Sequence, residues 1–202
     1  MASSPLIVHG TALSGHTHRV ELLMHLLRLP FRRIDAPVPV RQSAAFLKLN
    51  PLGQIPVLQD GDLVLADSNA ILVYLARRYD PQGAWLPTGP VDAARVQRWL
   101  SLAAGEIAFG PARARIGARF GGTGMPAPLM ATLSARVLGF MDGELAQRDF
   151  LAGAAPTIAD LACYTYVAHA PEGGISLEPY PQVRAWIARI QALPHFVPMP
   201  LN

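Results

Sequence analysis

Asn50-Pro51-Leu52-Gly53-Gln54-Ile55-Pro56-Val57, followed ten residues later by Asp67-Ser68-Asn69, is the stretch from which the rest of this chain is read. Pro51 presets its own φ and Gly53 accepts φ > 0, so the segment turns before a short strand. The Ile55–Pro56 step then presents the amide and carbonyl of Ile55 beside a proline that has no N–H. A cis bond there turns this backbone outward to pair with an extended ligand; a trans bond makes it an ordinary strand start. Asp67-Ser68 begins an apolar-periodic helix, either as a plain N-cap or as a receiver for an anion at the helix N-terminus. Turn and helix start together suit a small peptide-like anion.

Outward from this stretch, the first 80 residues mix strands and helices. Leu6-Ile7-Val8-His9 reads as a short buried strand. Val20, Leu23, Met24 and Leu27 fall at i, i+3, i+4 and i+7, which predicts a helix over 17–29 ended by Pro30. Phe31-Arg32-Arg33-Ile34-Asp35 is a second strand, returning parallel to the first through a crossover. A proline-interrupted loop (Pro37, Pro39) precedes a short helix over 44–49. Asp60-Gly61 between apolar runs predicts a hairpin of strands 56–59 and 63–65, and a helix over 67–79 closes the unit. The order is that of a thioredoxin-like α/β domain over residues 1–80.

Residues 81–90 are a linker by their Pro and Gly content. Beyond it, over 91–202, the pattern is all-α. One long helix is expected from 91 to about 119, bent near Gly110-Pro111, because an interior Pro removes a hydrogen bond. A second runs over 127–147. Thr157-Ile158-Ala159-Asp160 is a capping box with Asp in place of Glu, opening a buried helix through 168. Another helix covers 182–193, and the tail from 194 is irregular.

At 202 residues the chain is long enough for one large or two small domains. Apolar content of 51% with 15% charged residues excludes a disordered chain. No run approaches the roughly 18 uncharged apolar residues of a membrane span, and no secretory signal is visible. The lone Cys163 excludes an internal disulfide framework and suits a reducing, cytoplasmic location. The net charge is +3, but the 17 basic residues, all Arg except Lys48, are scattered rather than gathered. Nucleic acid is therefore not an expected partner. Six His residues stand without metal-ligand spacing, so no metal is expected.

A thioredoxin-like half containing NPLGQIPVL and then ADSNAI, a proline-rich linker, and a helical half with a buried T-x-x-D cap resemble the cytosolic glutathione transferase family over essentially the whole chain. The resemblance implies glutathione as co-substrate on the first half, a small hydrophobic electrophile bound at the junction, a homodimer, and a role in detoxification. It places the γ-glutamyl carboxylate on Asp67 and Ser68 next to Asn69, with Asp67 meeting the ammonium. It pairs the cysteinyl backbone with Ile55 before a cis Pro56, and gives the glycyl carboxylate to Gln54 and to Arg41 or Gln42. Arg41 read without the resemblance is a solvated loop residue.

The reactive group is then the ligand's thiol. A free thiol, with a pKa near 8.5, is only a few per cent thiolate at neutral pH. Lowering that pKa by about 2 units needs roughly 2.7 kcal/mol of preference for the anion. One charge-assisted hydrogen bond supplies about 1.5–3 kcal/mol and a helix N-terminus about 0.3–1 kcal/mol. A single hydroxyl before the first helix suffices, and Thr11, Ser14 and Thr17 are the candidates. Arg19-Val20 resembles the basic-apolar pair of serine-type members, which puts Ser14 on the catalytic position with Thr11 the alternative. His9, His16 and His18 depart from the family's usual residues there; an imidazole near a thiolate is a base or pH sensor, or simply a solvated loop residue. No Tyr lies in residues 1–73, which argues against a tyrosine-type mechanism, and Cys163 inside a buried helix argues against a cysteine-type one.

Leu13, Ile107, Phe109 and Arg113 are expected to wall the co-substrate pocket, with Arg113 holding an anionic group; the alternatives are Phe109 as a core residue and Arg113 paired with an acid, and Trp99 and Trp186 read as packing. A glutathione-dependent peroxidase or disulfide reductase, and a non-catalytic glutathione-binding protein, remain alternatives on the same fold.

Overall fold

The computed structural model describes residues 5–200. They form two compact units, residues 5–81 with 194–200, and Gln82–Leu193.

In the first unit the elements are β1 (Leu6–Gly10), α1 (Gly15–Leu26), β2 (Phe31–Asp35), α2 (Val38–Arg41), α3 (Ala44–Leu49), β3 (Val57–Asp60), β4 (Leu63–Ala66) and α4 (Ser68–Tyr79). The sheet runs β2-β1-β3-β4, with β1 parallel to β2 and β3 antiparallel to both its neighbours. Strand alternation sends Val57 toward Phe46 of α3 and Ala36, while Leu58 faces the other way, and both are fully buried. Helices α1 and α4 pack on one another, and Val20 and Leu23 of α1 and Ile71 and Leu75 of α4 are fully buried.

Three local features differ from the expectation. Helix α1 starts two residues earlier because Ser14 caps it, and it stops before Pro30 is reached. Arg28 takes a left-handed φ of 56°, and the amides of Arg28 and Leu29 turn back to the carbonyls of His25 and Met24, both at 2.9 Å. This closes the helix in the way a glycine more often does. The loop at Pro37 and Pro39 contains the short helix α2, whose prolines occupy the N-cap and first turn, where a missing N–H costs nothing.

The second unit comprises α5 (Pro90–Ala104), a π-helical turn (Ala108–Ala112), α6 (Arg113–Phe120), α7 (Ala127–Leu145), α8 (Ile158–Ala168), a 3-10 turn (Ala170–Gly173) and α9 (Pro181–Gln191). The single bent helix expected from 91 to about 119 is thus two helices joined by a π turn. Gly105 leaves helical geometry at φ −99°, ψ −103°, and Pro111 cannot donate the bond that would continue an α-helix. Thr157 and Asp160 form the capping box read from the sequence. Trp99 and Trp186 are buried packing residues, Trp99 stacking on Phe140 at 5.4 Å. Truncating either to Ala would cost about 3–5 kcal/mol.

The tail from 194, expected with the helices, groups with the first unit instead. His18 Nε2 meets the carbonyl of Val197 at 2.9 Å, and Met199 is buried. An apolar residue and a backbone carbonyl in an irregular tail carry no periodic signal, so this return is invisible in sequence.

Candidate functional site: the end of the sheet where two helices begin

The strand register decides what meets at the site. His9 pairs with Val57, and Val57 with Ala66. The carboxyl ends of β1 and β4 and the amino end of β3 therefore lie side by side at one end of the sheet. From there the chain leaves β1 toward Ser14 and α1, leaves β4 through Asp67 into α4, and enters β3 across the Ile55–Pro56 bond, which is cis. Two helix N-termini with their outward amides thus open at the same end of the sheet, an arrangement that favours negative charge.

Ser14 is extended (φ −81°, ψ 116°), and its Oγ accepts from the Thr17 amide at 3.2 Å. Its own amide donates to the Thr11 carbonyl at 3.1 Å, which closes the turn. A hydroxyl that accepts a capping bond keeps its hydrogen to donate elsewhere. Burial separates the three candidate hydroxyls. Ser14 and Thr11 are half-buried, whereas Thr17 is fully buried and its Oγ1 has no hydrogen-bond partner. Thr17 lies so close to the end of β1 that a Cβ on Gly10 would fall 2.4 Å from it, so only glycine fits at position 10.

At α4, Asp67 has a φ of 73°, and its Oδ1 accepts the amides of Asn69 and Ala70, each at 2.9 Å. Asp67 is exposed and Ser68 beside it is buried. The buried Arg19 guanidinium ties α1 to this terminus, its Nη1 donating to Asn69 Oδ1 at 3.0 Å and to Ser68 Oγ at 3.4 Å. His16 Nδ1 lies 3.4 Å from Ser68 Oγ. Arg19 is not among the site residues expected from the sequence. Its burial had a signal, since Arg19, Leu22, Leu23 and Leu26 fall at i, i+3, i+4 and i+7 on the inward stripe.

The loop before β3 is held by Asn50, whose Nδ2 donates to the Gln54 carbonyl at 2.9 Å and whose Oδ1 accepts the Leu52 amide at 3.1 Å. Gly53 takes φ 60° there, and a Cβ on it would come within 3.3 Å of the Arg41 carbonyl. This close approach brings the end of α2 beside the Gln54 loop. Arg41 is half-buried with an Nε that has no hydrogen-bond partner, and Gln42 and Gln54 are exposed. Thr11, Ser14, Ile55, Pro56, Asp67, Ser68 and Asn69 are thus gathered at one end of the sheet, with Arg41, Gln42 and Gln54 on its flanking loops.

The remaining expected residues differ in exposure. Leu13 is half-buried on the turn before α1. In the helical unit Ile107 is fully buried, Phe109 on the π turn is 47% exposed, and Arg113 at the start of α6 is half-buried. His9 is held by Gln59, Nε2 to Oε1 at 2.7 Å. Cys163 is buried with its Sγ 3.9 Å from the Trp99 carbonyl. Among the described residues no three His, Cys, Asp or Glu side chains are grouped to hold a metal, and no helix is long and apolar enough to cross a membrane.

One charged cluster of the helical unit has no counterpart in the sequence reading. Glu172 takes Arg115 Nε at 2.8 Å, Arg119 Nη1 at 2.9 Å and His169 Nδ1 at 2.5 Å. Burial pushes the Glu172 carboxyl up, but the hydrogen bonds from His169 and Arg119 and the charge and bond of Arg115 outweigh it and hold it at about 2. These contacts pin the 3-10 turn onto α6 across a sequence separation of more than 50 residues, which local patterns do not encode.

Residues 13–78 match the family described as glutathione S-transferase, N-terminal domain, and residues 131–194 the glutathione S-transferase C-terminal domain. Bovine glutathione S-transferase theta-1 is 32% identical over 82% of this chain and 73% of its own length. The crystal structure of a glutathione S-transferase from Pseudomonas fluorescens superposes with a TM-score of 0.89 at 32% identity, covering 98% of this chain and all of that one. The theta class glutathione S-transferase of Xanthomonas axonopodis pv. citri, a structure with glutathione bound, superposes at 0.85 with 26% identity over 95% of each chain. On the identity, the coverage and the shared two-part architecture, the chain belongs to the glutathione S-transferase family.

Proposed function

We propose that this enzyme binds glutathione at the sheet end that carries the N-termini of α1 and α4, and activates its thiol for attack on an electrophilic, mostly apolar co-substrate. The observation that carries the reading is the convergence of the cis Ile55–Pro56 step, the Ser14 turn and the Asp67-Ser68 terminus in one register-defined place. An extended tripeptide laid along it has a use for each part. Ile55 offers backbone pairing to the cysteinyl residue. Ser68 and the α4 amides receive the γ-glutamyl carboxylate, with Asp67 beside the ammonium and Asn69 flanking. Arg41, Gln42 and Gln54 serve the glycyl carboxylate; Arg41 has a buried donor Nε to give.

Ser14 Oγ donates its hydrogen to the glutathione sulfur, with the α1 N-terminus behind it and Thr11 as the neighbouring alternative. A charge-assisted bond of about 1.5–3 kcal/mol plus a helix terminus of about 0.3–1 kcal/mol matches the roughly 2.7 kcal/mol that a two-unit fall in thiol pKa requires. The thiol proton passes to solvent, the sulfur bonds to the electrophilic carbon, and the leaving group departs with the electron pair of the broken bond. On the helical unit, Phe109 supplies apolar contact for the acceptor and Arg113 a cation for an anionic group on it, with Ile107 buried in the same stretch; on the first unit, Leu13 is the apolar residue of the turn that carries Ser14. The protein works as a cytoplasmic homodimer in detoxification, its glutathione-binding domain formed by the first compact unit, to which the tail from 194 returns, and its helical domain by Gln82–Leu193.

Turnover with a haloaromatic, an organic peroxide and a glutathione-capped disulfide, beside calorimetric binding of glutathione, tests the reading. Haloaromatic conjugation is expected, with Ser14→Ala lowering kcat at least about tenfold and nearly keeping glutathione affinity. A fully active Ser14→Ala with an inactive Thr11→Ala moves the role to Thr11. Turnover of the peroxide or disulfide alone replaces transfer by reduction, and binding without any turnover replaces catalysis by ligand binding.

A further inference from the structure

The hydroxyl assigned to the γ-glutamyl carboxylate is not isolated. Ser68 Oγ sits between two side chains of α1, receiving Arg19 Nη1 at 3.4 Å and lying 3.4 Å from His16 Nδ1. A serine hydroxyl has a single hydrogen to donate. If that hydrogen is spent on a neutral imidazole, Ser68 faces an incoming carboxylate with lone pairs only.

We propose that His16 gates the donor of Ser68. With the imidazole neutral at Nδ1 the Ser68 hydrogen is held on His16, and with the imidazole protonated it is released to the glutathione carboxylate. The inference rests on the glutathione reading above and names a control on that same site. On protonation Nδ1 becomes a donor, so Ser68 Oγ accepts from both His16 and Arg19 and turns its O–H outward. The imidazolium adds a positive charge beside the carboxylate, and no covalent bond changes. His16 acts as a positioning residue, since its effect on the ligand runs through Ser68.

Among the described residues, the charged and titratable groups on the elements that meet near Ser68 have partners of their own. On α1 they are Arg19, already on Ser68 and Asn69; His18, directed to the Val197 carbonyl; and Glu21, paired with Arg33 at 3.0 Å. On α4 it is Asp67, whose carboxylate accepts two amides. On β1 it is His9, bonded to Gln59. Of the groups touching Ser68, the imidazole is the one whose ordinary range falls between pH 5 and 8.

The test is calorimetric binding of S-methylglutathione, which has no thiol to titrate, to the full chain between about pH 5.5 and 7.5. Affinity is expected to fall about tenfold as pH rises across this window, the scale of one charge-assisted hydrogen bond. His16→Gln is expected to flatten the profile. In the unsubstituted protein, saturating ligand is expected to raise the titration midpoint of the His16 ring, read by NMR, by the same linkage, which needs no variant to fold. A flat profile in the unsubstituted protein, a slope that survives in His16→Gln, or a midpoint that the ligand leaves unmoved each overturns the gate. A flat profile with firm binding sinks the gate alone; failure to bind at every pH sinks the glutathione reading and the gate with it.

Discussion

Two helices of this molecule, α4 and α8, have an acidic side chain near their start that accepts backbone amides, Asp67 as the cap of α4 and Asp160 three residues past the Thr157 cap of α8, and the two stand in opposite surroundings. Around α8, the Asp160 carboxylate is fully buried and saturated with donors: the Leu151 amide at 2.9 Å, the Thr157 amide at 2.8 Å, the Thr157 hydroxyl at 3.2 Å and Trp186 Nε1 at 2.9 Å. Burial pushes its carboxyl above the usual range, while those four hydrogen bonds pull the other way. Around α4, the Asp67 carboxylate is exposed, accepts two amides of its own helix, and sits on a residue with φ 73°. A non-glycine residue in that region carries about 1–3 kcal/mol of strain. A cap that only stabilises a helix gains nothing from exposure and strain. The α8 terminus spends its acceptor on the protein interior, whereas the α4 terminus leaves its carboxylate at the surface.

The largest effect that could break this comparison is at Asp160. Asp160→Ala leaves the Leu151 and Thr157 amides and the Trp186 indole N–H without their buried acceptor. A loss of about 3–5 kcal/mol is expected in urea unfolding, because each stranded donor costs about 1–3 kcal/mol and buried charged groups are held by their partners. A loss below about 1 kcal/mol would mean that the α8 start is no more structural than any exposed cap.

Glu172 asks whether donors or burial decide such a carboxylate's state. Its partners include two guanidinium groups, and they hold it at about 2 in spite of burial. A carboxyl whose folded value lies below its unfolded value of about 4.3 contributes stability that is complete above the unfolded value and disappears as pH falls toward the folded one. The stability of the helical unit should therefore drop by on the order of 2 kcal/mol between about pH 5 and pH 2 through this group. Glu172→Gln should remove that part of the acid dependence. An acid profile identical in Glu172→Gln and the unsubstituted protein would show that the network contributes nothing to it.

How far the sequence discloses these two termini follows from the range of the forces that make them. The α8 cap is local: Thr157 and Asp160 stand three residues apart, and their pattern is visible in the chain itself. The same holds for the tight turn after Asp60, for helix α3, and for the order of strands and helices in the first unit. What the sequence hides is non-local or masked by a local rule. Trp186 on Asp160, Arg19 on Ser68 and Asn69, and Glu172 on Arg115 and Arg119 join residues far apart in the chain. Pro37 and Pro39 look like loop residues although a helix's first turn suits them, and Gly110-Pro111 looks like a bend although the path becomes a π turn. The residues 50–57 and 67–69 at the sheet end are easy to pick out in the chain because they cluster in two short motifs. Phe109 and Arg113, in contrast, take their exposure from the break in the helix between them and α5.

The smallest change tests the α4 terminus most directly, because it separates the two purposes in one residue. Asp67→Asn keeps an oxygen that can accept the Asn69 and Ala70 amides, and Asn tolerates positive φ nearly as well as Asp. Stability should stay within about 0.5 kcal/mol of the unsubstituted protein, as expected for a cap exchanged for its equal. Glutathione affinity should nevertheless fall about tenfold, since the amide carries no charge for the ligand's ammonium. Binding of a deaminated glutathione, which lacks that ammonium, should be nearly insensitive to the same change, so the two ligands together isolate the contact. Equal losses for both ligands would mean that Asp67 acts by shaping the α4 turn, and the exposed terminus would then resemble the buried one in purpose as well as in form.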